Sequence, residues 1–167
     1  MAIKTTRHHV TQALRFYEAP GKYFGIGRTT PWANENAPPA NDPDVTGLDE
    51  PIGYKPLGTL QFMVPDPAGE FEYQGSIWRA VATENAIAEG AFHLYVTTTL
   101  NPADLPVDVS YREIAVFSGL QPIPGAGAGS LLHAQVADVG VIEVVDRRSP
   151  VYRAPGQDET LSLMLRF

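Results

Sequence analysis

The chain has 167 residues, no cysteine and a formal net charge of −7 at pH 7. Its length suits one domain with its own core, and the lack of cysteine excludes a disulfide framework and thiolate metal ligands. The acidic balance leaves no Lys/Arg surplus for binding phosphates, so we expect no nucleic-acid partner. No apolar run reaches the length of about 18 residues that predicts a membrane span. The N-terminus lacks an apolar signal-peptide core, so we expect synthesis in a cytoplasm.

One segment near the N-terminus has the periodicity of an amphipathic helix. Val10, Ala13, Leu14 and Tyr17 fall at i, i+3, i+4 and i+7, which places them on one helix face. Either of the two threonines before them, at positions 5 and 6, suits the N-cap, and an Ala-Pro-Gly sequence after them ends the segment. We predict a helix at about residues 6–18, whose apolar face packs on a sheet or on another subunit.

A short strand at residues 22–28 leads into a long Pro-rich loop. Glycines alternate with Phe24, Ile26 and Arg28 in this strand, and glycine within a strand often marks close approach of another backbone. The loop is predicted for about residues 29–57. Loops of this length without regular structure are usually either functional or unfolded linkers.

The rest of the chain has the composition of short strands. Fifteen glycines and fifteen prolines punctuate the sequence, as is typical of strands and turns rather than long helices. Strands are predicted at residues 59–64, 91–100, 109–117 and 159–167, and residues 70–83 form either two strands or one strand bent at residues 74–75. A hairpin is predicted for 130–137 with 140–145. We therefore predict one mainly β domain over residues 1–167. It is an antiparallel β-sandwich or barrel-like domain with one short N-terminal α-helix and the long Pro-rich loop.

The sequence contains no pattern typical of a catalytic or metal site. No serine lies in a G-x-S-x-G elbow, and the glycine-rich residues 125–129 lack the lysine of a P-loop. His8 and His9 are adjacent on the predicted helix and point about 100° apart, so they do not share a metal ion. The acidic residues of the loop lack the spacing of an EF-hand. We predict no enzymatic activity, no cofactor and no metal ion.

Two stretches resemble proteins of phage tails. Residues 23–39 read YFGIGRTTPWANENAPP, an aromatic strand ending in Gly-Arg, then Thr-Pro-Trp, an acidic residue with Asn, and a Pro pair. This segment resembles the baseplate wedge protein of T-even phages and its relatives in other contractile-tailed phages. Residues 110–120, together with the end of the chain from residue 140, are similar to the C-terminal strands of small phage tail structural proteins.

The resemblance implies a structural subunit of a contractile phage tail, made in the host bacterial cytoplasm and carried in the virion. Its place would be the baseplate or the junction of baseplate and tail tube, where it acts through protein interfaces in assembly. The expected partners are tube, sheath or wedge proteins and copies of the chain itself in a six-fold assembly, with no nucleic acid and no membrane. The expected interface residues lie on the helix and along the loop: Val10, Leu14, Tyr17, Phe24, Arg28, Pro31, Trp32, Pro38, Pro39 and Tyr54.

The physical character of these residues fits an interface. The prolines stiffen the loop, which lowers the entropy that it loses on docking. Trp32 is either a rigid aromatic anchor for a partner or a residue that packs the loop within the domain.

Two other functions are compatible with the sequence. A receptor- or carbohydrate-binding β-module on the virion surface would expose a groove lined by aromatic residues such as Trp32, Tyr54 or Trp78. A small hydrolase would need a pair of carboxylates, such as Glu70 with Glu72, to converge in a pocket on folding.

Overall fold

The computed structural model describes residues 3–167. They contain two α-helices and twelve strands in antiparallel sheets, which confirms the mainly β fold class. In chain order the helices and strands are α1 (Thr6–Glu18), β1 (Tyr23–Gly27), β2 (Pro51–Pro56), β3 (Thr59–Pro65), β4 (Phe71–Tyr73), β5 (Ser76–Val81), α2 (Ala86–Glu89), β6 (His93–Leu100), β7 (Val109–Ser118), β8 (Gln121–Pro122), β9 (Leu131–Leu132), β10 (Val136–Asp138), β11 (Val141–Arg153) and β12 (Glu159–Arg166). Short 3₁₀ turns occupy Thr83–Asn85 and His133–Gln135. Within the described part of the chain, neither helix has both the length and the apolar character needed to cross a membrane.

Helix α1 has the predicted bounds and the predicted cap. Thr5 precedes it in an extended conformation, and its Oγ1 accepts a hydrogen bond of 3.2 Å from the His8 amide. The apolar face packs on a sheet, where the rings of Tyr17 and Phe62 lie 5.2 Å apart. Tertiary packing therefore stabilises a helix that is marginal alone.

Two five-stranded sheets and one two-stranded ribbon organise the strands. One large sheet has the order β11-β7-β1-β2-β9, the other has the order β12-β6-β3-β5-β4, and β10 pairs with β8. Strand β7 lies inside the first sheet, and every residue from Tyr111 to Ser118 is buried. Burial of both faces explains why the apolar residues of this strand alternate imperfectly in the sequence.

The chain forms two compact units. One unit contains the N-terminal segment up to Ala19, residues 58–97 and residues 162–167. The other contains residues 20–57 and 98–161, and its core includes Tyr23, Tyr54 and Phe117.

The loop after β1 is shorter than the predicted 29–57. Residues Pro51–Pro56 form β2, which pairs with β1 in a register that places Tyr54 opposite Gly25. This strand was not predicted because a proline lies at each of its ends, and proline within a short segment argues against a central strand. The irregular segment therefore comprises residues 28–50, which we call the β1–β2 loop.

The hairpin predicted for residues 130–145 is wrong. Strand β10 pairs with β8, whereas β11 pairs with β7 from Val141 opposite Ser118 to Arg153 opposite Val109. The long-range pairing wins because it packs Ile142 and Val145 against the core around Phe117.

Candidate functional site

The β1–β2 loop is closed at its base by Arg28. The Arg28 amide donates to the Asp49 carbonyl at 2.6 Å, and its guanidinium lies 3.0 Å from the Asp49 carboxylate. Arg28 and Glu50 both have left-handed backbones, with φ of 57° and 46°. A Cβ atom on Gly27 would lie 2.7 Å from the Asp49 carbonyl oxygen. The close approach expected of this glycine is therefore present, and the two ends of the loop are held together.

A buried arginine of β7 fastens the middle of the loop. The side chain of Arg112, a residue only 6% exposed, donates to both carboxylate oxygens of Glu35 at 2.6 to 3.0 Å. It also donates to the Thr29 carbonyl at 2.6 Å. The hydrogen bonds from Arg112 hold the pKa of the Glu35 carboxyl below its usual range. A paired fork of this kind fixes the orientation of the loop as well as its position.

Trp32 packs the loop against the outer strand β11. Its indole Nε1 donates to the Arg148 carbonyl at 2.9 Å, and the Arg28 guanidinium lies 3.9 Å from the ring centroid. The residue is only 7% exposed. Of the two roles that the sequence left open for Trp32, the isolated chain uses the ring for packing within the fold.

A second buried ion pair lies beneath the loop. Glu113 is 1% exposed and accepts hydrogen bonds from the Asp49 amide at 2.8 Å and from Arg147 Nε at 3.1 Å. Arg147 also donates from Nη1 to the Ala40 carbonyl at 2.9 Å, and its amide donates to Asn41 Oδ1 at 2.8 Å. Charges from β7 and β11 thus hold both halves of the loop.

Glu50 makes the loop sensitive to acid. Its Oε2 accepts hydrogen bonds from the Thr30 amide and from the amide and hydroxyl of Thr29 at 2.7 to 3.0 Å. Hydrogen bonding from the side chains of Thr30 and Thr29, and then from their backbone amides, lowers the pKa of Glu50 from 4.5 to about 2. Because the pKa is lower in the folded state, the stabilisation is complete above pH 4.5 and is lost as the pH falls toward 2.

We expect Glu50→Gln to be less stable than the natural chain near pH 7 and to converge with it as the pH approaches 2. Urea-unfolding midpoints measured from pH 7 to pH 2 check this. Glu72→Gln, at an exposed position of β4, is the control, with a small offset at every pH. A constant offset for Glu50→Gln across the range would contradict the assignment.

The ten predicted interface residues differ widely in exposure. Val10, Phe24, Trp32 and Tyr54 are buried, whereas the side chains of Leu14, Tyr17, Arg28 and Pro38 are half-buried, and Pro31 and Pro39 are exposed. The structure brings Arg28 and Trp32 into direct contact at the base of the loop. The two exposed residues of the predicted set, Pro31 and Pro39, therefore lie on the solvent-facing surface of the β1–β2 loop, which we call its outer side.

Sequence reasoning missed the charged residues that hold this loop. Arg112, Glu113 and Arg147 make most of the hydrogen bonds that join the loop to β7 and β11, although none was predicted as a site residue. The signal was an adjacent arginine and glutamate inside an otherwise apolar strand, since such charges are buried only when they are paired.

Two further polar clusters lie away from the β1–β2 loop. Tyr54, 1% exposed, lies with its hydroxyl 3.2 Å from His133 Nδ1, and burial raises its pKa to about 12. Glu159 accepts hydrogen bonds from the Tyr111 hydroxyl and from Arg153. Across residues 3–167, no three His, Asp or Glu side chains lie together in a way that could hold a metal ion.

Similarity to known proteins places the chain among phage structural proteins. It is 29% identical over 155 residues to virion protein 3 of Enterococcus phage phiEF24C, which covers 89% of this chain and 85% of that protein. The chain therefore belongs to the class of structural proteins of the phage virion. A family model described as baseplate wedge 3 tail fiber network component matches residues 1–167, and the chain belongs to that family. It is therefore a component of the phage baseplate.

Proposed function

We propose that the chain is a non-enzymatic subunit of a contractile tail, at the baseplate or at its junction with the tail tube. It joins tube, sheath or wedge proteins, and copies of it are arranged with six-fold symmetry. The outer side of the β1–β2 loop is a docking surface for a neighbouring subunit. The observation that carries this proposal is the fastening of a 23-residue irregular loop, residues 28–50, by the buried side chains of Arg112, Glu113 and Trp32.

Pre-organisation is the physical reason that this loop suits docking. A flexible loop loses conformational freedom when a partner immobilises it, and this loss weakens binding. Here the loss has already occurred on folding, because the ion pair of Arg112 with Glu35 and the hydrogen bond from Trp32 hold the backbone. The family, whose members are described as part of a tail fiber network in the baseplate, supports an assembly role.

The outer side of the loop offers small and polar groups to a partner. Pro31, Asn34, Asn36, Ala37 and Pro39 are exposed there. A bulky charge at the centre of this set would clash with a docked neighbour without disturbing the contacts that hold the loop.

We expect Ala37→Arg to reduce incorporation of the subunit into tails by about tenfold, which corresponds to about 1.4 kcal/mol of binding free energy. The measurement is the amount of the subunit in purified particles, by quantitative mass spectrometry, after a phage lacking the natural copy is complemented. The matched control is Ala128→Arg, at another exposed alanine, which should leave incorporation unchanged.

Two outcomes would count against the proposal. Equal incorporation of Ala37→Arg and the natural chain would remove the loop from the interface. A purified particle that lacks the natural subunit in its baseplate, or holds it in a copy number unrelated to six, would contradict the proposed place in the tail.

A further inference from the structure

The outer edge of β11 is covered only in part. Strand β11 is the first strand of its sheet and pairs on one side with β7. Near its centre, the β1–β2 loop supplies partners to the other side, since the Arg147 amide donates to Asn41 and the Arg148 carbonyl accepts from Trp32. At this point the loop supplies the hydrogen-bond partners that a neighbouring strand would otherwise supply.

Upstream of Arg147 the edge is open. The ladder with β7 is regular from Val144 to Arg147, between two shifts of register. Backbone groups two residues apart in a regular strand point to the same side, so Val145 directs its N–H and C=O outward, as the N–H of Arg147 does. Outside the ladder with β7, Val145 has no hydrogen-bond partner among residues 3–167. Val141, at the start of the strand, is 60% exposed. An open edge of this kind is a template for pairing with another chain.

A groove runs beside this open edge. It has a volume of about 270 Å³ and lies between Ile142–Val145 of β11 and residues 41–45 of the β1–β2 loop. Val45, Ile142 and Val144 contribute apolar groups, whereas Asp42 and Glu143 contribute the charges. The lining contains no basic residue, so the groove offers an apolar floor with negative charge.

We infer that the edge of β11 at Val141–Val145 receives an extended segment of a different baseplate subunit, which adds a strand to the sheet. The segment alternates apolar residues, which fill the groove, with lysine or arginine, which face Asp42 and Glu143. A second copy of this chain fits poorly, because two chains of net charge −7 would bring Glu143 and its neighbouring carboxylates together. The inference rests on the proposed function, since it needs a neighbour in the baseplate.

The first test uses the absence of cysteine from the chain. Glu143→Cys creates a single thiol on the edge, whose rate of reaction with N-ethylmaleimide is measured in the free subunit and in purified particles. We expect the thiol to react at least about tenfold more slowly in the particle. Full reactivity after the particle is denatured serves as the control. Equal rates in the free and assembled states would overturn the inference.

The second test separates backbone pairing from side-chain packing. Both Val145→Pro and Val145→Ala remove the valine side chain, but only Val145→Pro also removes the outward N–H. We expect Val145→Pro to enter particles about tenfold less than Val145→Ala, and equal incorporation would contradict strand addition. If circular dichroism finds Val145→Pro unfolded, the protection of the Glu143→Cys thiol decides the question.

The third test identifies the occupant. A carbodiimide joins carboxylates to amines in direct contact, so it should link Glu143 or Asp42 to a lysine of a different subunit in the particle. A link to another copy of this chain, or no link, would overturn the proposed occupant.

If the natural subunit is missing from particles, the proposed function fails. If it is present but the edge is accessible, only this inference fails.

Discussion

Replacing Glu113 with alanine should lower the free energy of unfolding by about 3 kcal/mol, which is at the lower end of the cost of removing one member of a buried ion pair. The Glu113 side chain is 2% exposed, and that of its partner Arg147 is 15% exposed. The substitution leaves Arg147 with the Ala40 carbonyl as its remaining side-chain partner and leaves the Asp49 amide without its acceptor. Urea unfolding at pH 7, followed by circular dichroism, measures the loss.

The position of Glu113 beneath the loop adds a second expected result. The β1–β2 loop should become sensitive to limited proteolysis in Glu113→Ala, because the Asp49 amide and Arg147 no longer share an anchor. Glu72→Ala, at an exposed strand position, is the control and should change stability by less than about 0.5 kcal/mol. If Glu113→Ala also lost less than about 0.5 kcal/mol of stability, the ion pair of Glu113 with Arg147 would not be what holds the loop.

Replacing Phe117 with alanine should cost about 3–5 kcal/mol, the usual range for a fully buried phenylalanine. Phe117 has no exposed surface, and its ring packs edge-on against Tyr54 with centroids 5.4 Å apart. The cavity would open in the core of the unit that carries the β1–β2 loop. Denaturant unfolding measures the effect, with Leu132→Ala, at a residue 45% exposed, as the surface control.

Gly25 provides a sharper version of the same test. A Cβ atom at this position would lie 2.8 Å from Phe117 Cε2 and 2.8 Å from Leu48 Cδ1. Gly25→Ala alone should therefore destabilise the chain through overpacking. When Phe117→Ala is added, the new Cβ no longer meets the Phe117 ring and keeps its close contact with Leu48. The double substitution should therefore cost less stability than the sum of the two single substitutions. Additive costs would contradict the packing described here.

Several local features of the fold could be predicted from the sequence because short-range physics determines them. Helix α1 follows from its apolar spacing and from the threonine that caps it. The hairpin of β4 and β5 was one of two interpretations of residues 70–83, and the left-handed backbones of Gln74 and Gly75 close it.

Strand partners were harder to predict, because the pairing of strands distant in the chain depends on packing over a whole face of the sheet. Strand β1 pairs with β7, which places Gly25 opposite Ala115, and no local signal specifies this register. The error at residues 130–145 has the same cause, since two nearby segments resembled a hairpin although each pairs with a more distant strand.

The class of this protein could be inferred before its fold was known. Composition indicated an acidic, strand-rich domain, and the resemblance of two short segments to phage tail proteins indicated a structural virion subunit, because both signals are carried by residue types and short spacings. How the loop is held and where a strand edge stays open depend instead on contacts between distant parts of the chain. Arg112, Glu113 and Arg147 meet the loop across large sequence separations, and the free edge at Val145 exists only because β11 is the outer strand of its sheet.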